Sequence, residues 1–233
     1  MVAATLAAEF DVSEDAIRRD LRALAAEGKC RRVYGGALPL SPGLLPMAAR
    51  IGEAPDRKLA LARMAASFIG RGEFLFLDSG STNLALVPLL PEDHGLTVAT
   101  NSIDIAAGLL ARGDIPLIMV GGAVDPSVGG SVDASAIASI GQMNIDRCFI
   151  GACAISPATG IGCFVHGDAL FKRLLIERSR VRVAMVTADK FNERAPHRVG
   201  GPADLETVVV EKDMPDEDRE ALAAAGFHLT HAA

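Results

Sequence analysis

A short turn rich in small polar residues follows one predicted strand, and its residue types could bind an anion. The strand EFLFLD (73–78) runs into Ser-Gly-Ser-Thr, and a helical pattern begins near Thr82. A glycine-containing turn that opens a helix points several backbone N–H groups in one direction, and the helix dipole adds to their positive potential. Asp78 ends the strand, where open α/β sheets place ligands, and its carboxylate could accept a hydrogen bond from a sugar hydroxyl. An ordinary strand-to-helix turn capped by Ser81 or Thr82 would explain the same residues.

Neighbouring predicted strands also end in small or polar residues. These are LTVAT (96–100) before Asn101 and Ser102, IPLIMV (115–120) before Gly121 and Gly122, and RCFIGAC (147–153), which contains Gly151. Because the carboxyl ends of parallel strands lie at one edge of a sheet, these positions predict one shared crevice. Lys172 and Lys190 could each supply a cation there, although a solvated surface charge is the alternative for either.

The sequence lacks the fingerprints of several common sites. It contains no GxxxxGK[ST] loop, and no GxGxxG follows a strand, which argues against ATP-driven or NAD-dependent chemistry. Cys30, Cys148, Cys153 and Cys163 have no CxxC spacing, so reduced thiols are expected rather than a zinc site. We therefore expect no metal and no cofactor.

A basic helix near the start of the chain could contact nucleic acid. In SEDAIRRDLRALAAEG (13–28) the spacing of Ile17, Leu21, Leu24 and Ala25 predicts a buried face. Arginines lie together on another face, and the following KCRRVYGG is typical of a basic strand and turn, which suits a wing. A solvated helix face, ion-paired through its own carboxylates, is the alternative. The predicted DNA contacts are Ser13, Glu14, Arg18, Arg19, Arg22, Lys29, Arg31 and Arg32.

The overall charge restricts this hypothesis to one part of the chain. The net charge is −6, which argues against a protein coated with nucleic acid. Residues 13–36 nevertheless carry six cations against four carboxylates, so the positive charge is local.

Apolar runs alternate with helical patterns after residue 57, which predicts an α/β fold with a Rossmann-like, mostly parallel sheet. The 233 residues divide into a helix-turn-helix module (1–36), a Pro-rich linker (37–56) and an α/β domain (57–233). The strands expected are 73–78, 96–100, 115–120, 147–153, 181–187 and 206–210, and the helices lie near 57–69, 82–90, 103–111, 133–141, 166–179 and 216–225.

Neither a membrane span nor a secretory signal is expected. The longest uncharged stretch, 148–167, contains four glycines and Pro157, and no basic region precedes the first apolar run. The sequence therefore predicts a cytoplasmic protein.

The segment LAAEFDVSEDAIRRDLRALAAEGKCRRVYGGA (6–37) resembles the winged helix-turn-helix of DeoR-type bacterial transcriptional regulators. By that resemblance residues 13–27 form the recognition helix, and Arg18, Arg19 and Asp20 are the family's RRD signature. Ala16 stands where a threonine is usual. The family's first helix would precede Thr5, so the resemblance implies a module short by about one helix.

The rest of the chain resembles the effector domain of the same family, which is related in fold to ribose-5-phosphate isomerase and coenzyme A transferases. The matching segments are DSGST (78–82), ATNS (99–102), VGG (120–122), DRCFIGACAI (146–155) and GDALFKR (167–173). The resemblance implies a bound phosphorylated sugar that alters operator affinity. Asp168 stands where glutamate is usual, and Thr187 where aspartate is common. The effector-site residues implied are Asp78, Gly80, Ser81, Thr82, Asn101, Ser102, Gly121, Gly122, Lys172 and Lys190.

Three hypotheses follow. The first is a repressor of a carbohydrate-metabolism operon, which would act as a homodimer or homotetramer because one winged helix reads only a half-site. The second is a sugar-phosphate isomerase-like enzyme, for which Asp78, Asp168 and Asp189 are the candidate bases. The third is an effector-binding oligomer that does not bind DNA.

Overall fold

The computed structural model describes residues 1–26, 30–39 and 45–232. Its first part consists of α1 (Ala3–Glu9), α2 (Glu14–Ala26) and an antiparallel hairpin of β1 (Cys30–Val33) and β2 (Gly36–Pro39). This is the helix, turn, helix and hairpin order that the sequence predicts. A small core of its own holds these elements together, and its buried members are Ala3, Ala7, Ile17, Leu21 and Ala37.

Two residues of the predicted buried face are not buried: Leu24 is exposed and Ala25 is half-buried. Leu24 is 38% exposed, whereas Leu21 and Ile17, one and two turns earlier, are buried. In the described part of the chain the small core contacts the N-terminal two-thirds of α2 and does not extend to Leu24.

The segment predicted as a linker contains regular structure. Strand β2 ends within it, a short helix α3 (Met47–Ile51) follows, and α4 (Pro55–Ala66) begins before its end. Residues 40–44 lie outside the described residues. Met47 is buried, and the Arg50 guanidinium donates hydrogen bonds to the backbone carbonyls of Ser127 and Val128 (3.2 and 3.4 Å). Helix α3 is therefore packed on the α/β domain.

The α/β domain contains twelve further strands, five further α-helices and three short 3-10 helices among the described residues. In chain order they are β3 (Phe74–Leu77), α5 (Ser81–Leu84), a 3-10 turn (Val87–Leu89), β4 (Thr97–Thr100), α6 (Ile103–Arg112), β5 (Leu117–Met119), β6 (Val124–Asp125), β7 (Gly130–Ser131), α7 (Ala134–Ile140), β8 (Ile145–Ile150), β9 (Ala154–Ser156), β10 (Gly160–Cys163), α8 (His166–Glu177), β11 (Ser179–Val186), a 3-10 turn (Ala188–Lys190), β12 (His197–Gly200), a 3-10 turn (Pro202–Asp204), β13 (Thr207–Val210), α9 (Asp216–Ala224) and β14 (Leu229–His231).

Seven of these strands form one parallel sheet in the order β14-β13-β11-β8-β3-β4-β5. Six are the strands that the apolar runs predict, so the α/β fold class is confirmed. Strand β14 was not predicted, because its three residues include a threonine and a histidine and show no apolar run. The small antiparallel strands β6, β7, β9, β10 and β12 were also missed, since segments of two to four residues are too short to give a periodic signal.

Both faces of the sheet are covered. On β3, Phe76 faces a core that includes residues of α7, α8 and α9, whereas Leu75 and Leu77 face a second core under α4 and α6. Alternate side chains of a strand point to opposite faces, so burial on both sides explains why strands such as FLFL and TVVV are continuously apolar. Within the described residues, no helix is long and apolar enough to cross a bilayer.

The strand order reverses next to β3. From β3 the chain continues through β4 to β5 toward one edge, and β8, β11, β13 and β14 then extend the sheet toward the other. Ligands of open α/β sheets bind outside the carboxyl ends of the strands at such a reversal. This topology predicts a ligand site at the residues that follow β3 and β8.

Glycine 129 tests how tightly α3 is docked. Its φ is +77°, and a Cβ there would lie 2.5 Å from Met47 Cγ, whereas Gly72 has a similar φ of +71° with nothing within 4 Å. Gly72→Ala should therefore cost only the strain of a left-handed alanine, about 1–2 kcal/mol. Gly129→Ala should cost about 1–3 kcal/mol more through overpacking. Thermal unfolding of the two variants checks this, and equal Tm values would show that Met47 moves aside freely.

Candidate functional site

A cavity of about 130 Å³ lies at the carboxyl ends of β3 and β8. The turn after β3 forms one wall, with Gly151 beside it at the end of β8. Helix α8 contributes Asp168 and Lys172, and Arg50 of α3 and Lys190 close the remaining side. The cavity is thus located at the strand-order reversal. The sequence predicted a crevice at the carboxyl ends of the strands but did not identify the reversal.

Hydrogen bonds from two amide side chains hold the turn in place. Asn83 Nδ2 donates to the backbone oxygens of Asp78 (2.8 Å) and Phe149 (2.9 Å), and Asn101 Oδ1 accepts from Ser79 N–H (3.0 Å). These bonds tie the turn to β8 and to the end of β4. Asn83 was not among the predicted residues, because an asparagine in a predicted helix gives no signal that it contacts a strand 66 residues away.

Three buried ionisable groups connect the walls of the cavity. Asp78 Oδ2 accepts from Gly151 N–H (2.8 Å) and from Lys172 Nζ (2.5 Å), and Lys172 Nζ also lies 2.9 Å from Asp168 Oδ1. Burial opposes the charge on Lys172, but the carboxylates of Asp168 and Asp78 outweigh it and raise the pKa of this lysine. Burial raises the pKa of Asp78, while Lys172 counteracts that rise. The ammonium group of Lys172 therefore joins α8 to the end of β3, and the carboxylate of Asp78 joins that end to the residue after β8.

Several polar atoms of this region have no hydrogen-bond partner among the described residues: Asp78 Oδ1, Ser79 Oγ and Asp168 Oδ1. Ser79 and Asp168 line the cavity, and the contact of Asp168 with Lys172 is an ion pair without hydrogen-bond geometry. Leaving a buried polar group unpaired costs about 1–3 kcal/mol. A ligand with hydroxyl groups would satisfy both residues.

Cations cluster at the other side of the cavity. Lys190 is 8% exposed, its Nζ donates to Thr187 Oγ1 (3.0 Å), and burial lowers its pKa. Lys58 on α4 is also buried, and burial together with the charge of Lys190 lowers its pKa to about 8. The Lys58 ammonium donates to the backbone oxygen of Arg50. The Nε atom of Arg50 is buried and has no hydrogen-bond partner in the described part of the chain. These three cations outnumber the nearby carboxylates of Asp189, whose Oδ2 lies 4.0 Å from Lys190 Nζ, and Glu53, so the patch is positive on balance and would attract an anion.

The cation cluster extends into a second depression of about 170 Å³, which shares Arg50, Ser81 and Lys190 with the cavity. Sequence reasoning missed Lys58 and Arg50. Lys58 has the spacing of an ordinary helix-surface lysine, and Arg50 falls in the segment predicted as a linker.

The predicted effector residues divide into two groups. Those that line the cavity are Gly80, Ser81, Thr82, Lys172 and Lys190. Asp78 lies behind the wall, and Asn101 and Ser102 are buried in structural roles: Asn101 Nδ2 donates to Ser131 O (3.2 Å), and Ser102 Oγ caps α6 through Ile105 N–H (3.5 Å). Gly121 and Gly122 are exposed and do not line it.

The predicted DNA contacts lie mostly on the exposed face of α2. Ser13 Oγ accepts from Ala16 N–H (3.2 Å) at the start of the helix, and Arg18 pairs with Glu14 at 2.7 Å. Arg19, Arg22 and Arg32 are exposed. Arg31 belongs to strand β1, and Lys29 lies outside the described residues.

The cysteines have no catalytic environment. Burial raises the pKa of Cys148 to about 12 and also raises that of Cys163 and Cys153, so these thiols remain protonated and unreactive. Across the described ranges, no three histidine, cysteine, aspartate or glutamate side chains converge as metal ligands.

Comparison with known proteins covers both parts of the chain. Two family models match: the DeoR-like helix-turn-helix domain at residues 3–42, and the DeoR C terminal sensor domain at residues 53–212. The glycerol-3-phosphate regulon repressor of Escherichia coli K12 is 30% identical over 90% of this chain and 84% of its own length. The uncharacterized HTH-type transcriptional regulator YgbI of the same organism is 30% identical over 97% and 89%. Among solved structures, ribose 5 phosphate isomerase A from Neisseria gonorrhoeae matches 60% of this chain and 55% of its own, with 17% identity and a TM-score of 0.44.

Proposed function

This chain belongs to the DeoR family of helix-turn-helix transcriptional regulators, and from that premise we propose that it represses a carbohydrate-metabolism operon and that a small phosphorylated sugar releases it from operator DNA. It would act in the cytoplasm as a homo-oligomer, because a palindromic operator offers two half-sites to two copies of the module.

The observation that carries this proposal is the distribution of charge in the cavity. Arg50 and Lys190 line the cavity beside the backbone of the turn at Gly80–Thr82, and Lys58 lines the adjoining depression that shares Arg50 and Lys190 with it. Cations in this arrangement suit a phosphate group. Asp168 Oδ1, which is ion-paired with Lys172, and Ser79 Oγ have no hydrogen-bond partner among the described residues, so they could accept from and donate to sugar hydroxyls. The name of the glycerol-3-phosphate regulon repressor points to the same ligand class, a phosphorylated polyol.

The same geometry favours binding over catalysis. An isomerase needs a base that can reach the substrate carbon. Asp78 is fully buried behind the wall and is held by Lys172, which also pairs with Asp168. The third candidate base, Asp189, is exposed beside the cation cluster. We infer that Lys172 holds the two buried carboxylates in fixed, paired positions that stabilise the cavity.

Isothermal titration of a panel of sugar phosphates and their unphosphorylated parents tests the ligand. We expect saturable heat with at least one phosphorylated sugar and none with its parent. Sustained heat flow after each injection would mean turnover and would favour the isomerase-like enzyme. No heat across the panel would contradict a phosphorylated-sugar effector.

Binding of a fluorescein-labelled duplex, followed by anisotropy between about 50 and 200 mM salt, tests the DNA-binding half of the proposal. The logarithm of the affinity should fall with the logarithm of salt by about 0.9 per phosphate contacted. Arg19→Ala should weaken binding and reduce that slope by about 1, whereas Lys212→Ala, an exposed lysine of the α/β domain, should change neither. A slope near zero would favour an effector-binding oligomer that does not bind DNA.

A further inference from the structure

We propose that two copies of this chain associate through the outer face of α6 and the edge strand β5, with the two β5 strands paired antiparallel across a two-fold axis. The exposed residues between 103 and 124 form this surface, which is called the α6–β5 surface below. The inference rests on the proposed function, which requires a homo-oligomer but does not say which surface joins its copies.

Helix α6 is apolar around its whole circumference. On its inner face, Ile105 and Leu109 are buried in the core under the sheet. On its outer face, exposed apolar residues follow the helical spacing i, i+4, i+7 and i+8: Ile103, Ala107, Leu110 and Ala111. Leu110 is 71% exposed. A helix that is apolar all round is normally buried, yet no described element covers this outer face.

The exposed apolar side chains of the α/β domain are concentrated at this place. From α4 onward, six large apolar residues of the described chain are exposed, and five of them lie between residues 103 and 124. The five are Ile103, Leu110, Ile118, Met119 and Val124. The sixth, Leu170, belongs to α8, which covers the opposite face of the sheet. Single exposed apolar residues are ordinary, but a contiguous group of them marks an interaction site.

Strand β5 is one of the two edges of the sheet, so its outer backbone groups can pair with a further strand. Natural proteins commonly protect such an edge with charged side chains, but Leu117–Met119 carries none. The other edge strand, β14, is polar at two of its three positions, Thr230 and His231. Of the two edges, β5 therefore favours the addition of a strand.

A second copy of this chain would cover the helix face and the strand edge together. A two-fold axis perpendicular to the sheet pairs β5 with its equivalent and keeps both α6 helices on one face. Helix α6 packs over β4 and β5, because Ile105 and Leu109 share a core with Val98 and Leu117. Since strands are about 4.8 Å apart, the two helices would lie about 10 Å from each other. Packed helices are separated by about 8–10 Å, so the strand pairing brings α6 into contact with α6 of the second copy.

The outer face of α6 is suited to packing against itself. Ala107 lies at the centre of the exposed stripe. An antiparallel helix pair with its axis at Ala107 places Ile103 of one copy against Leu110 and Ala111 of the other. The small side chain at the centre permits the close approach, and the larger ones bury each other on either side of it.

The size and the charge of the surface also favour a second copy. Between residues 103 and 124, thirteen residues are exposed and four more are half-buried. An interface of standard size involves about 20–30 residues per partner, so this surface supplies most of one. The chain carries a net charge of −6, whereas Arg112, Asp104 and Asp114 contribute only −1 here. Two copies therefore repel each other little along this surface.

Sedimentation velocity of the full chain at micromolar concentration, without DNA or ligand, tests the surface. We expect the wild-type chain to be a dimer or a larger assembly. Leu110→Glu would place a charge inside the interface, so it should raise the dissociation constant about 30-fold or more and halve the mass of the assembly. Leu170→Glu is the matched control, because Leu170 is exposed on the opposite face of the sheet, and it should leave the mass unchanged. Circular dichroism should show the wild-type fold in both variants.

A cysteine at the centre of the stripe tests the arrangement of the two copies. Two helices about 10 Å apart bring the Cα atoms nearest the axis to about 5 Å, which a disulfide can bridge. Ala107→Cys should therefore form a covalent dimer on copper-catalysed air oxidation. Leu170→Cys and the wild-type chain, which has four cysteines of its own, should remain uncrosslinked.

The outcomes separate this inference from the proposed function. A Leu110→Glu chain with the mass of the wild type overturns the inference, leaves the proposed function intact and assigns the oligomer to another surface. Absence of a cross-link in Ala107→Cys overturns the antiparallel arrangement. A monomeric wild-type chain overturns both the inference and the homo-oligomer, and would leave the surface to a different protein. An assembly that Leu110→Glu dissociates supports the inference even if no duplex binds, a result that contradicts only the DNA-binding half of the proposed function.

Discussion

Replacing Lys172 with methionine is expected to lower the free energy of unfolding by about 3–5 kcal/mol, because removal of one partner from a buried ion pair leaves the other charge uncompensated. Lys172 is 1% exposed and faces two carboxylates, Asp78 and Asp168. In a protein of this size, 1 kcal/mol corresponds to a Tm change of about 2–4 °C. Denaturant unfolding and calorimetry of the variant would measure the loss.

The loss should depend on pH in a defined direction. Burial raises the pKa of Asp78, and Lys172 counteracts the rise, so the variant should have a folded-state pKa farther above the unfolded value. A carboxyl group with a raised folded-state pKa contributes its stability at low pH and loses it as the pH rises through that pKa. The destabilisation of Lys172→Met should therefore be smaller near about pH 5 than near about pH 8.

Lys212→Met provides the matched control, because Lys212 is exposed and its loss should change stability by no more than about 0.5 kcal/mol. If Lys172→Met were as stable as this control at both pH values, the ion pairs of Lys172 would not contribute to the stability of the fold. Adding Asp168→Asn to Lys172→Met should recover part of the lost stability, since it removes one of the uncompensated charges.

Replacing Lys190 with methionine should have a different effect: loss of the ligand with the fold preserved. A hydrogen bond to a charged group contributes about 1.5–3 kcal/mol, so affinity for the phosphorylated sugar should fall about 10- to 100-fold. The thermal stability should stay the same or rise, because burial already disfavours the charged form of this lysine and lowers its pKa. Titration calorimetry and a melting curve of the same preparation would measure both quantities.

The same control variant, Lys212→Met, should bind the ligand normally, and Lys190→Arg should retain part of the affinity because it keeps a cation at the site. Operator affinity without ligand should be unchanged in Lys190→Met, since Lys190 belongs to the α/β domain. An unchanged ligand affinity would place the phosphate away from the cation cluster, at the turn alone.

Local sequence pattern was sufficient for most of the fold. Strands such as β3 and β13 are apolar without interruption because both faces of the sheet are covered, and a run of four such residues between turn residues is recognisable in the sequence. Residues 13–26 carry their helix signals in the helix itself, from the cap at Ser13 to the apolar spacing of Ile17 and Leu21.

The composition of the site depended on contacts that no local pattern encodes. Arg50 reaches the cavity only because α3 packs against residues 127–129, far along the chain. Lys58 turns inward because its ammonium group donates a hydrogen bond to the backbone oxygen of Arg50. Gly121 and Gly122 have the residue type of a ligand loop but follow β5, the edge strand, two strands away from the order reversal. Residue type and position after a strand were visible in the sequence, but the place of that strand in the sheet was not.

The docking of α3 has a consequence for measurements of the two activities. This five-residue helix forms part of the cavity wall through Arg50, and only a short stretch of chain separates it from strand β2 of the helix-turn-helix module. If ligand occupancy and operator occupancy favour different placements of α3, thermodynamic reciprocity requires each to weaken the other by the same factor. The metabolite would then bind more weakly to the repressor on its operator than to the free repressor. Calorimetry on the free protein would accordingly give a higher metabolite affinity than the operator-bound protein has. Each additional operator copy would raise the metabolite concentration needed for release.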